Sequence, residues 1–260
     1  MEAIIFVDTF RLDGRRALVT GGSKGIGAGL ARGLAEAGAD IVLLARGQQE
    51  LEQTRDELRT TGREIGICAC DLSQTDAIEG TFQQIVQEQG PIDILVNNAG
   101  TTRRSPAHEL SLEDWQLVLE INLTAVFALS RAFAKERISS NRSGKIINIG
   151  SLLSSTARQD NAPYAASKGG VLLLTKALSV DWAPHHIFVN AIGPGFINTP
   201  LTRPLVENPE FNEWVLGRCP MGRWGDPKDL TGAAVFLASA ASDFVTGQMI
   251  YVDGGWLARF

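Results

Sequence analysis

The sequence predicts an α/β fold, with a single domain built on a doubly wound parallel sheet of about seven strands and helices on both faces. Short runs rich in Val, Ile and Leu alternate along the chain with longer amphipathic segments, which is typical of βαβ units. Several of the short runs are almost continuously apolar, as strands covered on both faces are. Because βαβ connections are right-handed, their repetition places helices on both faces of one sheet.

The first third of the chain supplies three expected strands and two expected helices. Residues 16–20 (RALVT) form an apolar run that ends at a glycine-rich turn, and helix 25–37 begins within that turn. Residues 40–45 (DIVLLA) and 65–70 (IGICAC) are runs of the same kind, and the amphipathic helix 48–60 joins them. This strand–helix alternation predicts the first βαβ units.

The middle of the chain continues the alternation. Helix 75–89 leads to strand 92–97 (IDILVN), and the long helical segment 111–137 leads to strand 145–149 (KIINI). Helix 163–183 follows.

The last part of the chain departs from the pattern once. Strand 187–192 (IFVNAI), helix 227–238 and strand 249–252 (MIYV) continue it, but residues 198–223 contain four prolines and do not. We interpret residues 198–223 as a long substrate-loop excursion near the ligand face. Because no repeat, linker or low-complexity stretch interrupts the chain, residues 1–260 are expected to form one domain.

Charge and composition argue against several classes of function. A net charge of −5 argues against non-specific nucleic-acid binding and against an anionic membrane surface. No stretch approaches the ~20 apolar residues of a membrane span, and the apolar run 3–7 is too short for a signal peptide. Three cysteines without a CxxC pair, and three histidines without metal spacing, predict no disulfide framework and no metal site. We therefore expect a cytoplasmic protein that acts on a small molecule.

A glycine-rich turn, TGGSKGIG (20–27), stands between the first strand and the first helix. Glycines let the backbone approach a phosphate closely, and the helix N-terminus offers unpaired N–H groups to a pyrophosphate. The spacing G-xxx-G-x-G differs from the common G-x-G-x-x-G, and such a turn alone is often merely structural. Its place in an α/β chain favours a Rossmann-type dinucleotide site. The expected phosphate contacts are Gly21, Ser23, Lys24, Gly25, Ile26 and Gly27.

The end of the second strand indicates which dinucleotide is bound. An acid there would bind the ribose hydroxyl of NAD, whereas an arginine accommodates the 2′-phosphate of NADP. The sequence has Arg46 and no acid, and Lys24 adds a second positive charge. NADP(H) is therefore favoured, with NAD(H) as the alternative if Arg46 is only a solvated residue ahead of the next helix.

A tyrosine and a lysine four residues apart form the candidate acid–base pair. Tyr164 and Lys168 share one face of helix 163–183. A phenol has a reference pKa of about 10, and a neighbouring ammonium would lower it. Such a pair alone is usually ordinary packing. However, Ser151 and the segment 97–100 follow two other strands, and the carboxyl ends of parallel strands meet at the ligand edge of the sheet.

Together these segments resemble the short-chain dehydrogenase/reductase family over essentially the whole chain. The matching segments, in order, are TGGSKGIG (20–27), NNAG (97–100), INLTAVF (121–127), Ser151 after IINIG, YAASK (164–168), PG (194–195) and VDGG (252–255). The resemblance implies an NAD(P)(H)-dependent oxidoreductase that interconverts a secondary alcohol and a ketone by direct hydride transfer.

The resemblance also implies a role for each matching residue. Tyr164 would be the general acid in reduction and the general base in oxidation, and Ser151 would hydrogen-bond the substrate oxygen. Lys168 would hold the nicotinamide ribose and lower the pKa of the tyrosine. Asn122 would anchor a water of the proton relay, or satisfy a helix kink, or both. The remaining implied cofactor contacts are Asn98, Ala99 and Gly100 in the NNAG turn, Asp71 and Leu72 at the adenine, and Pro194, Gly195, Ile197 and Thr199 at the nicotinamide.

Fold and catalytic residues do not identify a substrate. Arg103 and Arg104 follow the NNAG turn, where paired arginines would clamp a carboxylate or else be two solvated loop residues. NNAGTTRR, IINIGSLLS, residues 223–247 and VDGGWLAR resemble the sugar-acid branch of the family, the gluconate 5-dehydrogenases and 2-deoxy-gluconate 3-dehydrogenases. The strand end at Arg46 also resembles tropinone-type reductases. Reduction of a cyclic ketone or an oxoacyl thioester is therefore the second hypothesis, and a non-catalytic NADP(H)-binding sensor is the third.

The resemblance implies a homotetramer, because family members commonly pack the helices equivalent to 111–137 and 163–183 against partner subunits. The apolar run 171–174 fits such an interface, although an internal core would look the same. The tail 254–260, with Trp256, Leu257 and Phe260, would either reach across another interface or pack on its own subunit.

Overall fold

The structure, a computed structural model, describes residues 6–259. Residues 3–5 of the N-terminal apolar run and Phe260 of the expected tail lie outside the described residues. The seven strands are β1 (Arg16–Thr20), β2 (Asp40–Ala45), β3 (Ile65–Ala69), β4 (Ile94–Asn97), β5 (Gly144–Ile149), β6 (Ile187–Pro194) and β7 (Met249–Val252). They form one sheet in the order β3-β2-β1-β4-β5-β6-β7, and every pair is parallel. The predicted fold class is confirmed.

The α-helices occupy the connections between strands. They are α1 (Gly25–Glu36), α2 (Gln48–Leu58), α3 (Ile78–Gln89), α4 (Leu112–Leu119), α5 (Ala125–Ser139), α6 (Ala162–Trp182), α7 (Arg203–Val206), α8 (Pro209–Arg218) and α9 (Thr231–Ala238). The expected single helix 111–137 is one continuous rod, but a turn of π-helix, Glu120–Thr124, separates α4 from α5.

Two apolar layers hold the helices to the sheet. Side chains alternate between the two faces of each strand, so that Val19 belongs to one core cluster and its neighbour Leu18 to the other. The first cluster contains Leu30 and Leu34 of α1 with Leu237 of α9. The second is built with Ile85 and Phe82 of α3, Leu129 and Phe133 of α5, and Leu178 of α6. Helices therefore cover both faces, as the continuous apolar strands predict.

The helical rod Leu112–Ser139 is long and apolar enough, by length and composition alone, to cross a membrane, although charged residues interrupt it and it has no continuous apolar run of that length. Half of its most apolar window is buried inside the protein, and Leu129 and Phe133 pack in the second core cluster. A core helix of a water-soluble domain passes the same test.

Residues 198–223 leave the βαβ pattern as expected, but they are not a simple loop. They contain the helices α7 and α8, each with a proline in its first turn, Pro204 and Pro209. Proline is favoured at that position, because its fixed φ suits a helix and its missing N–H has no partner there anyway. Two of the four prolines that suggested a loop therefore begin helices.

The strand order reverses between β1 and β4, since the chain returns across the sheet after β3. In open parallel sheets, ligands bind outside the carboxyl ends of the strands at such a switch point. The glycine-rich turn follows β1 and the NNAG turn follows β4, so both lie at this crevice.

Candidate active site

The phosphate loop connects β1 to α1 in a conformation that requires glycine. Gly21 and Gly25 have φ of +61° and +58°, which L side chains rarely adopt. At Gly27 a Cβ would lie 2.1 Å from the carbonyl oxygen of Gly21, so only glycine lets the loop close on the helix. The N-cap residue Lys24 makes no side-chain cap, and the N–H groups of the first turn of α1 are left for a ligand. This cradle fits a pyrophosphate.

Thr20 and Asn98 join the NNAG turn to the phosphate loop. The Thr20 hydroxyl accepts hydrogen bonds from the backbone N–H groups of Asn98 (2.9 Å) and Ala99 (3.0 Å). The Asn98 amide donates to the carbonyls of Thr20 (2.9 Å) and Gly21 (3.3 Å). The Asn98 side chain therefore supports the loop. Sequence reasoning missed the role of Thr20. The TGG motif contains this residue, but the motif does not show which groups its hydroxyl binds.

The residues predicted to contact the adenosine end of the cofactor lie just past β2 and β3. Arg46 is exposed just past the end of β2, and its charge acts on Asp71, beyond β3. The Ser73 backbone N–H, and secondarily Arg46, lower the pKa of Asp71 below its usual value. Leu72 was predicted to contact the adenine; it lies in the turn beyond β3 with its side chain buried in the second core cluster, so only its backbone is left for such a contact.

Lys168 lies behind the tyrosine and faces the sheet. Its Nζ is 5.8 Å from the centre of the Tyr164 ring and donates a hydrogen bond of 2.6 Å to the carbonyl oxygen of Ile149, the last residue of β5. Burial lowers the pKa of Lys168 to about 8. The i,i+4 pair is therefore on one face as predicted, with an amine that is poised to titrate close to neutrality.

The groups that act on the Tyr164 phenol differ from those expected. Burial raises the pKa of Tyr164, and the Ser151 hydroxyl together with Arg104 and Arg158 acts in the opposite direction. Lys168 was expected to supply the lowering. The groups that lower the pKa of Tyr164 are instead the Ser151 hydroxyl and the two guanidinium groups, and their effect is smaller than that of burial.

Ser151 is held at the end of β5 by a short 3₁₀ turn, Leu152–Ser154. Its hydroxyl oxygen accepts from the backbone N–H of Leu153 (3.1 Å), and its own N–H donates to the hydroxyl of Ser154 (3.1 Å). Since that oxygen already accepts, its proton is free to be donated to a substrate oxygen. The Ser151 hydroxyl also acts on the Tyr164 phenol, so the two residues lie close together.

Asn122 lies in the π-helical turn and is completely buried. Its Oδ1 accepts from the backbone N–H of Thr101 (2.8 Å), and its Nδ2 donates to the Thr101 carbonyl (2.9 Å) and the Ser167 hydroxyl (3.1 Å). Both ends of the amide are therefore engaged, which matches the interpretation as the partner of a helix distortion. A water of the proton relay at this point would therefore be held by hydrogen bonds to backbone atoms rather than to the Asn122 side chain. π turns are frequent at functional sites.

The segment after β6 contains the residues predicted to contact the nicotinamide. Gly195 packs so closely on the β7 end that a Cβ would lie 2.7 Å from the Cα of Asp253. Thr199 lies against the phosphate loop, 3.5 Å from where a Cβ of Gly25 would be. Ile197 is buried, and with Gly195 it lines a cavity of about 220 Å³. Pro194 is the last residue of β6. The predicted phosphate and nicotinamide residues are therefore neighbours.

Arg103 and Arg104 are separated by the structure. Arg103 Nε is 2.9 Å from Oδ1 of Asp114, the acid in the first turn of α4, and its Nη1 donates to the carbonyl of Thr102. Arg104 acts electrostatically on Tyr164 and on Arg158. The expected clamp of two consecutive arginines is not formed, because Arg103 already has an acid partner. Arg158 was missed by sequence reasoning.

An aromatic cluster covers this side of the site. Phe196, next to the PG turn, lies 4.7 to 5.8 Å, between ring centres, from each of the other four rings, and its partners are Phe211, Trp214, Trp224 and Trp256. The cluster fixes α8 to the carboxyl end of β6. The excursion is therefore packed against the site.

The fold and the site define an NAD(P)-dependent oxidoreductase that acts on a secondary alcohol or its ketone. A family model described as Enoyl-(Acyl carrier protein) reductase matches residues 21–257. The chain belongs to the short-chain dehydrogenase/reductase family, which confirms the resemblance seen in the sequence.

Relatives of known name match the chain along nearly its whole length. Gluconate 5-dehydrogenase of Gluconobacter oxydans is 45% identical over 248 residues, covering 95% of this chain and 96% of that protein. The 2-dehydro-3-deoxy-D-gluconate 5-dehydrogenase of Escherichia coli is 45% identical over 255 residues, covering 98% and 100%. The crystal structure of a gluconate 5-dehydrogenase from Burkholderia cenocepacia in complex with NADP and tartrate has a TM-score of 0.93 and 45% identity, covering 98% of this chain and 99% of that one.

Proposed function

We propose that the protein is an NADP(H)-dependent sugar-acid dehydrogenase, which interconverts a secondary hydroxyl of a gluconate-type acid and the corresponding keto acid. The observation that carries the proposal is Arg104, an exposed arginine that acts electrostatically on the Tyr164 phenol and forms no ion pair within residues 6–259. Its guanidinium is therefore open to a substrate carboxylate. The names of the relatives, gluconate 5-dehydrogenase and 2-dehydro-3-deoxy-D-gluconate 5-dehydrogenase, support the same substrate class.

The catalytic roles follow from the contacts at the site. Tyr164 exchanges a proton with the substrate oxygen, and the Ser151 hydroxyl donates a hydrogen bond to the same oxygen as its charge develops. Lys168, with its pKa lowered to about 8, takes up or releases the proton behind the phenol. Asn122 holds the Thr101 backbone and Ser167 around this group. When bound, the nicotinamide accepts or supplies the hydride.

The preference for NADP(H) over NAD(H) is supported by the charges at the adenosine end. Arg46 and Lys24 are both exposed beside the crevice, where a 2′-phosphate would need cations. Solved relatives with bound NADP support the same choice. Leu72 would contact the cofactor through its backbone, and Asn98 would act by supporting the phosphate loop. The remaining proposed contacts are Gly21, Ser23, Gly25, Ile26, Gly27, Asp71, Ala99, Gly100, Pro194, Gly195, Ile197 and Thr199.

We also propose a cytoplasmic homotetramer. Its support is the apolar surface of the two long helices, where Phe127, Ile138, Leu173 and Val180 are 39 to 75% exposed. Within the run 171–174, Val171 is buried and Leu173 is 67% exposed, so one face of α6 is available to a partner. Light scattering on the purified protein would give the assembly mass directly.

The test is steady-state oxidation of D-gluconate and 2-deoxy-D-gluconate, with NADP⁺ and NAD⁺ in parallel, followed at the nicotinamide absorbance. Turnover of either acid, with a preference for NADP⁺ that Arg46→Gln reduces, is the expected result. Tyr164→Phe should abolish turnover without loss of NADPH binding, which also separates an enzyme from a non-catalytic sensor. Absence of turnover with both acids, in a protein that binds NADPH, would remove the sugar-acid proposal and direct the assay to cyclic ketones and oxoacyl thioesters.

A further inference from the structure

Arg158 stands in the segment between β5 and α6, seven residues after Ser151 and six before Tyr164. Its guanidinium lies over the ring of Phe211, with Cζ 5.2 Å from the ring centre. Phe211 belongs to α8 of the excursion and to the aromatic cluster around Phe196. Arg158 is therefore held between the catalytic edge of the sheet and the element that covers it.

The charge of Arg158 has no direct counter-ion. Within residues 6–259, no carboxylate lies within 4.0 Å of its guanidinium and no hydrogen bond satisfies it, although the side chain is partly buried. Other partly or fully buried arginines are paired, as Arg16 is with Asp40 and Arg137 with Asp93. Arg158 thus presents a half-buried guanidinium, stacked on Phe211, whose donors are open to an anion.

The electrostatic surroundings of Arg158 point in the same direction. Burial and the like charge of Arg104 both lower the pKa of Arg158, while Asp160 and Tyr164 act in the opposite direction. Arg104 reaches this position from the loop after β4 and Arg158 from the loop after β5. Two cations from different loops thus act on one phenol, and within residues 6–259 Asp160 is the acid that offsets the charge of Arg158.

We propose that Arg158 and Arg104 together bind the carboxylate of the substrate, and that Phe211 of α8 positions Arg158 for this contact. The inference rests on the proposed function, and it names the second cation of the same site. Arginine suits this role because its planar fork can meet a carboxylate with two hydrogen bonds while its face stacks on an aromatic ring. Residues 198–223 would therefore contribute to substrate selectivity, because Phe211 holds the Arg158 cation that favours acids over neutral polyols.

The test compares a carboxylate with a neutral isostere. Kinetics with D-gluconate and with D-gluconamide would be measured for the wild type, Arg158→Gln, Arg158→Lys and Arg104→Gln. Arg218→Gln is the matched control, because Arg218 also stacks on an aromatic ring of the same cluster, with Cζ 5.3 Å from the Trp256 centre. Arg158→Gln should lower kcat/KM for gluconate about 10- to 100-fold, as expected for loss of a charge-assisted hydrogen bond, and for gluconamide less than about threefold. Arg158→Lys should be intermediate.

A pH profile provides a readout that a purely structural role would not move. Both arginines lower the pKa of Tyr164, so Arg158→Gln should raise it. Alcohol oxidation requires the phenolate, and the rise of kcat/KM with pH for gluconamide should therefore shift to higher pH in Arg158→Gln but not in Arg218→Gln. Phe211→Leu should raise KM for gluconate more than it lowers kcat, since it loosens the arginine without removing it.

Titration calorimetry of gluconate into the NADP⁺-loaded protein distinguishes failure of the carboxylate-site inference from failure of the proposed function. Gluconate turnover by the wild type with equal selectivity in Arg158→Gln and Arg218→Gln would overturn the inference and leave the proposed function standing. Binding of gluconate without turnover, weakened at least tenfold by Arg158→Gln, would overturn the function but support the carboxylate site. Neither binding nor turnover in the wild type would overturn both.

Discussion

Replacement of Gly27 by alanine tests whether close packing of the phosphate loop is what makes the cofactor site. A Cβ at this position would lie 2.1 Å from the Gly21 carbonyl oxygen and 2.6 Å from Nδ2 of Asn98, whereas Cβ contacts essentially never fall below 3.0 Å. The loop or the helix must therefore move by about 0.9 Å, which costs about 1–3 kcal/mol in a packed region. The same movement pulls the N–H donors of the loop and of α1 away from the phosphates.

The expected loss of binding follows from the number of donors displaced. Two charge-assisted hydrogen bonds that are weakened rather than lost, each by about 1–1.5 kcal/mol of the roughly 1.5–3 kcal/mol of an intact bond, amount to about 2–3 kcal/mol, which is roughly 30- to 150-fold in Kd. NADPH fluorescence titration would measure the Kd, and thermal unfolding would show that the variant is folded at the assay temperature. Gly80→Ala is the matched control, because Gly80 lies in α3 with nothing within 4 Å of its missing Cβ. The control should stabilise the protein by up to about 1 kcal/mol and leave the Kd unchanged. A Gly27→Ala protein that binds NADPH as tightly as the control would refute the reasoning.

Three further predictions concern buried polar groups. Because burial lowers the pKa of Lys168 to about 8, the unfolded chain binds its proton more tightly, and the free energy of unfolding should rise with pH between about 8 and 10.5 by roughly 3 kcal/mol. Lys168→Met should lack this rise when denaturation curves of the two proteins are compared across that range, and equal slopes would contradict the assignment. Asp93→Ala should cost about 2–4 kcal/mol in urea unfolding, because it removes one of the two acid partners of the fully buried Arg137, which keeps Glu136 at 2.8 Å, and also the acceptor of the Arg16 backbone N–H. Arg142→Gln, which removes an exposed partner of Asp93, should cost less than about 1 kcal/mol. Asn122→Ala removes three hydrogen bonds around Thr101 and Ser167 and should lower both stability, by about 1–3 kcal/mol, and kcat, with NADPH binding within about threefold of the wild type.

The sequence was sufficient for the sheet, for the helix face shared by Tyr164 and Lys168 and for the phosphate loop, although it missed the helices α7 and α8 and the π-helical turn. The alternation of apolar runs and amphipathic segments predicted the parallel sheet, and an i,i+4 spacing predicted that Tyr164 and Lys168 share a helix face. The glycine pattern located the phosphate loop because a positive φ and a close approach exclude other residues at Gly25 and Gly27. Such patterns depend on the repeat of the backbone itself, and neighbours in sequence are enough to express them.

Only the tertiary structure determined which side chains act together where the backbone is irregular. Nothing in the sequence predicted that Arg103 would pair with Asp114 while Arg104 joined Arg158 beside the phenol. The same applies to Leu72, which turned into the core. In loops no periodicity sets the direction of a side chain, so direction is decided by packing between segments far apart in the chain. For this protein, local spacing determined where the proton-transfer residues lie, and long-range packing determined which charges surround them.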